Sequence, residues 1–162
     1  MGDQLRPEPD IRFEQEELTH PDSVWCLDRY FAEIDQRFAN GFDRTEGGEP
    51  ADGGFAPPTG AFLVARLASM AVGCGGVAYR DGGFAEIKRM WVLENLRRQG
   101  LGYRMLLELE AIARKAGFSI VRLDSNYTLT EAQRLYRRCG YCEVKRYNDN
   151  PYAELWFEKG LT

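Results

Sequence analysis

The chain has 162 residues, 44% hydrophobic and 28% charged, with a net charge of −4, which suits one globular domain and leaves too little length for two. No stretch reaches the roughly 18–20 consecutive apolar residues that a membrane-spanning helix needs, and the polar, proline-bearing residues 1–10 do not read as a signal peptide. Four scattered cysteines (Cys26, Cys74, Cys139, Cys142) and a single histidine, His20, give neither a disulfide framework nor a metal-ligand cluster, so reduced thiols, a cytoplasmic setting and no metal are expected.

Residues 1–10 read as a disordered lead-in and residues 11–162 as one domain. Residues 11–18 alternate weakly, as a first strand does. Pro21-Asp22-Ser23 opens a helix with Asp22 or Ser23 as N-cap. Trp25, Leu27, Tyr30, Phe31, Ile34 and Phe38 then recur at helical spacing. Residues 40–60, rich in Gly, Pro and Asp, form a long loop of the kind that is functional or disordered. Three strand candidates follow at 61–68, 70–79 and 84–93, the last two joined by the turn Asp81-Gly82-Gly83. Residues 100–116 form a helix with Leu101, Met105, Leu109, Ile112 and Ala116 on one face and Gly117 as its stop. A short buried strand at 119–123 precedes a helix at 128–138. A capping box for that helix is available at Thr130–Gln133 or at Thr128–Glu131. Strands at 141–146 and 152–158 flank the turn Asn148-Asp149-Asn150-Pro151. The order β-α-β-β-β-α-β-α-β-β puts hairpins first and helix–strand alternation later, which predicts an α/β (α+β) fold with a mixed sheet.

Charge is distributed unevenly. Residues 1–60 carry five Arg and no Lys against fourteen acidic residues, while residues 97–147 carry eleven basic residues against five acidic ones. Either both are solvated faces, or a basic half holds a polyanion beside an acidic half that attracts a cation. Nucleic acid is a poor candidate for that polyanion, because the chain is acidic overall and has no nucleic-acid-binding motif.

The segment Arg97-Arg98-Gln99-Gly100-Leu101-Gly102 joins a strand to a helix. Its glycines allow close approach of the backbone, the helix start offers unpaired N–H groups, and the arginines offer bidentate charge for phosphate oxygens. Together these suit a pyrophosphate. The Walker spacing and the G-x-G-x-x-G fingerprint are both absent. Cys139-x-x-Cys142 has redox spacing but straddles a helix end, so both thiols read as small apolar fillers rather than a redox pair.

Arg97-x-x-Gly100-x-Gly102 resembles the Arg/Gln-x-x-Gly-x-Gly/Ala signature of the GNAT superfamily of N-acetyltransferases. The strand at 85–92 before it, the amphipathic helix after it and Ala132-x-x-Leu135-Tyr136-x-x-x-Gly140-Tyr141 further on extend the resemblance over roughly residues 60–158. The resemblance implies a mostly antiparallel mixed sheet, split between its fourth and fifth strands, with acetyl-CoA in the split. It implies cofactor contacts from the backbone of Met90, Trp91 and Val92, and from Arg97, Arg98, Gln99, Gly100, Leu101, Gly102, Tyr103 and Arg104. It also implies direct attack of an amine on the thioester, with the Val92 N–H at the oxyanion and Tyr136 as general acid. Glu86, on a strand like the base-bearing strand of histone-lysine acetyltransferases, is the candidate base, acting directly or through water. Many members carry an Asn seven residues before the tyrosine. That Asn bonds to the cofactor arm; Leu129 stands there here, and Asn126, three residues earlier, is the substitute that the sequence offers for this cofactor contact.

The acceptor is expected to meet the first helix, the 39–60 loop and the 146–152 turn, with Glu33 for its ammonium, Arg37 for a carboxylate, and Asn148 and Asn150 for further hydrogen bonds. The aromatic and acidic pattern over residues 30–43, taken with residues 148–152, resembles a bacterial branch of the family whose members are sometimes fused to a winged-helix regulator, for which this chain is too short. The expected acceptor is a small-molecule primary amine, with amino-acid-like molecules among the options. A peptide or protein amine and a non-catalytic acyl-CoA sensor are the alternatives, and a homodimer is a possible assembly.

Overall fold

A computed structural model describes residues 10–44 and 53–162. The lead-in expected over residues 1–10 lies outside these except for Asp10, and the 40–60 loop is described only at its two ends. The elements are β1 (Ile11–Gln15), α1 (Pro21–Arg37), β2 (Gly60–Leu67), β3 (Met70–Arg80), β4 (Phe84–Val92), a 3₁₀ turn at Glu94–Leu96, α2 (Leu101–Lys115), β5 (Ile120–Ser125), α3 (Thr130–Arg138), β6 (Cys142–Val144) and β7 (Leu155–Gly160). They form one seven-stranded sheet in the order β1-β2-β3-β4-β5-β7-β6. Only the β4–β5 pair is parallel.

β2 and β3 are almost wholly buried because both sheet faces are covered, as their unbroken apolar runs require. Leu101, Met105, Leu106, Leu109 and Ala113 of α2 pack on one face against Ala85, Ile87, Val121 and Leu123. Each buried Leu or Met there is worth about 1.5–3 kcal/mol, which makes α2 a rigid platform. On the other face Cys26 of α1 packs with Phe55, Phe62, Val64, Cys74 and Trp91.

Two features open the middle of the sheet. β4 and β5 pair only at Ala85↔Val121 and Glu86↔Arg122, and beyond those residues they diverge. In β4, Arg89 and Met90 together oppose Gly75, and Arg89 has φ 59°. This is a β-bulge with a left-handed residue, a conformation that costs an L residue about 1–2 kcal/mol. A Cβ on Gly75 would stand 2.7 Å from Leu109 Cδ1, so only glycine fits opposite the bulge. The extra residue turns Met90 and Val92 toward α2 and Trp91 toward α1.

Local chemistry differs from expectation at several element ends. The N-cap of α1 is His20, whose Nδ1 accepts from the Asp22 N–H at 3.0 Å. Asp22 is drawn away to the buried Arg66 at 2.8 Å. Neither capping box forms at α3: Leu129 is the N-cap without a side-chain bond, Thr128 bonds to Asn126, and Glu131 pairs with Arg37. The last two strands are shifted and β6 is short, because Asn148 Oδ1 and Asn150 Oδ1 accept from the N–H groups of Asn150 and Tyr152 and hold that segment as a turn. All four cysteines are free. Cys139 joins the core as expected, but Cys142 is exposed and fills nothing.

Candidate active site

The split between β4 and β5 has two mouths. At one, the chain leaves β4 and reaches α2 through residues 93–100. Arg98 and Gly100 have φ of 65° and 79°, and a Cβ on Gly100 would meet nothing within 4 Å. Gly100 is the N-cap of α2 and carries no side chain to satisfy the first turn, so N–H groups of that turn are left for a ligand. Leu101 is buried beneath, while Arg98, Gln99 and Tyr103 are exposed around it. A Cβ on Gly102 would touch only Leu135 Cδ2, at 3.4 Å, which brings α3 up to the same mouth.

Two of the expected phosphate ligands are engaged within the protein. Arg97 donates from Nε to the Val92 carbonyl at 2.8 Å and pairs with Glu33 at 2.6 Å. Arg104 points to β1, donating to the Ile11 carbonyl at 3.4 Å and lying over the Phe13 ring. The Leu93 N–H donates to Val72 on β3 at 2.8 Å. Strand alternation therefore turns the Val92 N–H toward the split.

The second mouth is bounded by α1, the β5 end and the 148–153 turn. A cavity of about 60 Å³ there is lined by Tyr30, Phe38, Phe42, Tyr152, Asp124, Asn126, Asn150 and their neighbours. Phe42 and Tyr152 lie 4.5 Å apart between ring centroids, and Phe38 stacks on Tyr152 at 5.8 Å. Of the residues expected here, Asn150 lines the cavity and Asn148 lies just behind it. Glu33 and Arg37 are both paired within the protein: Glu33 with Arg97 at 2.6 Å, and Arg37 with the Thr128 carbonyl at 2.7 Å and Glu131 at 3.0 Å. Both pairs are cross-links, from α1 to the phosphate-side loop and to the start of α3. Asn126 likewise engages both ends of its amide, with the Tyr152 carbonyl and with Thr128. A larger groove of about 320 Å³, lined by Pro57, Pro58, Tyr79 and Ile112, lies away from the split.

A polar network connects the sheet to the second mouth. Glu86, 3% exposed, receives hydrogen bonds from Arg80 at 3.0 Å, from the Tyr147 hydroxyl at 2.6 Å and from Asn148 Nδ2 at 3.1 Å. Asn148 Nδ2 also donates to Asp124 at 2.7 Å. Lys88 Nζ lies 4.0 Å from Glu86 and 3.8 Å from Asp124. Burial, together with the nearby Glu86 and Asp124 charges, holds the Tyr147 phenol well above its usual range. The main charged partner of Glu86 is thus Arg80, whose guanidinium reaches across the β3–β4 hairpin.

Tyr136 on α3 is 9% exposed and packs near Tyr141 and Phe157. Burial raises its phenol pKa, and the Asp124 charge adds to the effect. The Tyr30 phenol is raised by burial, by Asp124 and by Tyr136 in turn. The Asp124 charge thus acts on both phenols, and both keep their protons at neutral pH.

Sequence reasoning missed Asp124, Tyr30, Tyr147 and Arg80. A signal for Asp124 existed: it is an acidic residue near the carboxyl end of a central strand, at a sheet opening where ligands gather. Among the described residues, no group of three or more His, Cys, Asp and Glu side chains could hold a metal, and no helix is long and apolar enough to cross a membrane.

Comparison with known proteins agrees with this architecture. The profile of the acetyltransferase (GNAT) family matches residues 14–141. An IAA acetyltransferase of Azospirillum brasilense is 38% identical over 110 residues, covering 65% of this chain and 71% of that protein. An uncharacterised N-acetyltransferase of Schizosaccharomyces pombe is 32% identical over 131 residues, covering 80% of this chain and 74% of its own. A crystal structure assigned as an acyl-CoA N-acyltransferase from Klebsiella pneumoniae superposes with a TM-score of 0.77 at 25% identity, covering 95% of this chain and 99% of that one. The similar proteins thus extend beyond bacteria.

Proposed function

The chain belongs to the GNAT acetyltransferase family, and from that premise we propose that it transfers an acetyl group from acetyl-CoA directly to the primary amine of a small molecule. That it is an acyl-CoA-dependent N-acyltransferase, with acetyl-CoA as co-substrate and an amine as acceptor, follows from the family. The small-molecule acceptor and the residue roles are our reading.

The pantetheine arm would lie along the free edge of β4 at Met90, Trp91 and Val92, and the pyrophosphate would sit on the first turn of α2 at Gly100, Leu101 and Gly102. Arg98 and Gln99 flank that turn. Arg97 would reach a phosphate by exchanging Glu33 for it. The deprotonated amine nitrogen attacks the thioester carbon, a C–N bond forms, and the carbonyl oxygen gains negative charge opposite the Val92 N–H. The C–S bond then breaks. The thiolate takes the proton of Tyr136, and the tyrosinate is restored by the proton that the new amide nitrogen sheds. Glu86 is locked by three donors, so its part in proton removal would run through water rather than by contact with the amine, and it also holds Asn148, which in turn orients Asp124.

The observation that carries this reading is the buried Tyr136, protonated at neutral pH, on a helix that reaches the first mouth through Leu135 and whose N-cap, Leu129, lines the second. The test is a panel of primary amines assayed for free thiol released from acetyl-CoA, with mass spectrometry of the amine. The expected result is acetylated amine in equal amount to thiol. Acetyl-CoA binding with no thiol release from any small amine would overturn the reading.

A further inference from the structure

The acceptor cavity holds a single charged group among its lining residues, and that group is the carboxylate of Asp124. Its hydrogen bonds from Asn148 Nδ2 at 2.7 Å and Asn150 Nδ2 at 3.2 Å, and its 3.8 Å contact with Lys88, all fall on Oδ2. Among the described residues no hydrogen bond or ion pair falls on Oδ1. The carboxylate is thus fixed by one oxygen, with the other left for a ligand. Around it stand Tyr30, Phe38, Phe42 and Tyr152, faces that attract a cation and stack on a flat apolar body. Among the described residues that line the cavity there is no cation for an acceptor carboxylate; the nearest ones are engaged, Arg37 with Glu131 and the Thr128 carbonyl and Lys88 with Asp124 itself. The cavity, about 60 Å³, is well below the roughly 150 Å³ that encloses a benzene ring. It therefore takes an aminomethyl end, while the rest of the acceptor rests on the Phe38–Tyr152–Phe42 wall.

We propose that Asp124 anchors the acceptor's ammonium and takes its proton, and that the acceptor is an aryl-alkyl primary amine without a carboxylate. The proposal rests on the transferase reading above. In the step, R–NH₃⁺ gives one proton to the Asp124 carboxylate and becomes the nucleophile. The attack and the Tyr136 exchange then proceed as described, and Asp124 releases its proton to solvent after the product leaves. Counted over the turnover, R–NH₃⁺ and acetyl-CoA give the acetamide, free CoA and one proton.

The test compares 2-phenylethylamine, n-propylamine and phenylalanine as acceptors for wild type, Asp124→Asn and Phe38→Ala, with acetyl-CoA affinity measured for each protein by calorimetry. For wild type, 2-phenylethylamine should be the best of the three. Phenylalanine, which differs from it only by a carboxylate, should be poorer in kcat/KM by about a hundredfold. Asp124→Asn keeps the shape and the Asn148 and Asn150 contacts. It should lose on the order of 10²–10³ in kcat/KM while acetyl-CoA affinity stays within about twofold. Phe38→Ala should raise KM for 2-phenylethylamine about tenfold and leave n-propylamine little changed. Equal activity of Asp124→Asn, or phenylalanine as the preferred acceptor, would overturn this assignment and leave the transferase reading standing. A wild type that binds acetyl-CoA but acetylates no amine would overturn both.

Discussion

At the mouth proposed for the pyrophosphate the groups on offer are mostly backbone: a left-handed glycine, the open first turn of α2 and the edge of β4 beyond its pairing with β5. At the acceptor mouth they are side chains, contributed by α1, β5 and the 148–152 turn, and tied together by Asn148 and Asp124. Backbone donors on a rigid helix tolerate much sequence change as long as no Cβ intrudes, so this mouth suits a ligand that is always the same. Side chains can be exchanged one at a time, so the other mouth suits an acceptor that differs between relatives.

The largest expected effect is at the backbone mouth. Gly102→Glu should abolish acetyl-CoA binding in calorimetry, since the new side chain brings bulk and negative charge to the pyrophosphate site. The fold should persist, because a Cβ there meets only Leu135 at 3.4 Å. Wild-type binding by that variant would remove the pyrophosphate from this loop. Next, Tyr136→Phe keeps the ring packing against Phe157 and removes only the hydroxyl. It should lower kcat by on the order of 10²–10⁴ with acetyl-CoA affinity within a few-fold. An equally active variant would leave solvent to protonate the thiolate. Arg98→Ala should weaken acetyl-CoA binding by roughly tenfold and flatten its dependence on salt. Unchanged affinity and salt dependence would assign all phosphate contact to the backbone.

The smallest effect concerns the cross-link that frames the acceptor mouth. The Glu131 carboxyl is held below the usual carboxylate range by a hydrogen bond to its own N–H at the start of α3 and by Arg37. A depressed folded-state pKa stabilises the protein above the unfolded pKa, about 4.3, and that contribution fades as pH falls through the folded value. Glu131→Gln should therefore lower the melting temperature at pH 7 by about 1–3 °C, as befits an exposed pair, with the difference vanishing in acid. A difference that grows in acid would contradict the Arg37 pairing.

The same contrast explains what was legible in the sequence. Arg97, Gly100 and Gly102 lie within six residues, and backbone geometry leaves a local signature, so the glycine-bearing strand-to-helix connection and the open start of α2 could be read directly. The element order and the mixed sheet follow from hairpins and crossovers that are visible in the apolar pattern, while the β4–β5 split is implied only by the family resemblance. The acceptor mouth gathers Tyr30, Phe38, Asp124 and Asn150 from positions more than ninety residues apart at the extremes, with no local motif. Glu33 and Arg37 looked like free binding groups because their partners, Arg97 and Glu131, are distant in sequence. The sequence points to Asp22 or Ser23 as the α1 cap in place of His20 because a histidine cap has no strong sequence mark. The α3 capping box failed because Asn126 competes for Thr128 and Arg37 competes for Glu131.

Both mouths open on one split, so donor and acceptor must be bound together for transfer to occur without an acyl-enzyme. Initial rates over a grid of acetyl-CoA and amine concentrations test this most directly, paired with the mass of the protein after incubation with acetyl-CoA alone. Intersecting double-reciprocal lines and an unchanged protein mass are the expected result. Parallel lines, with an acetyl group retained on the protein, would contradict direct transfer.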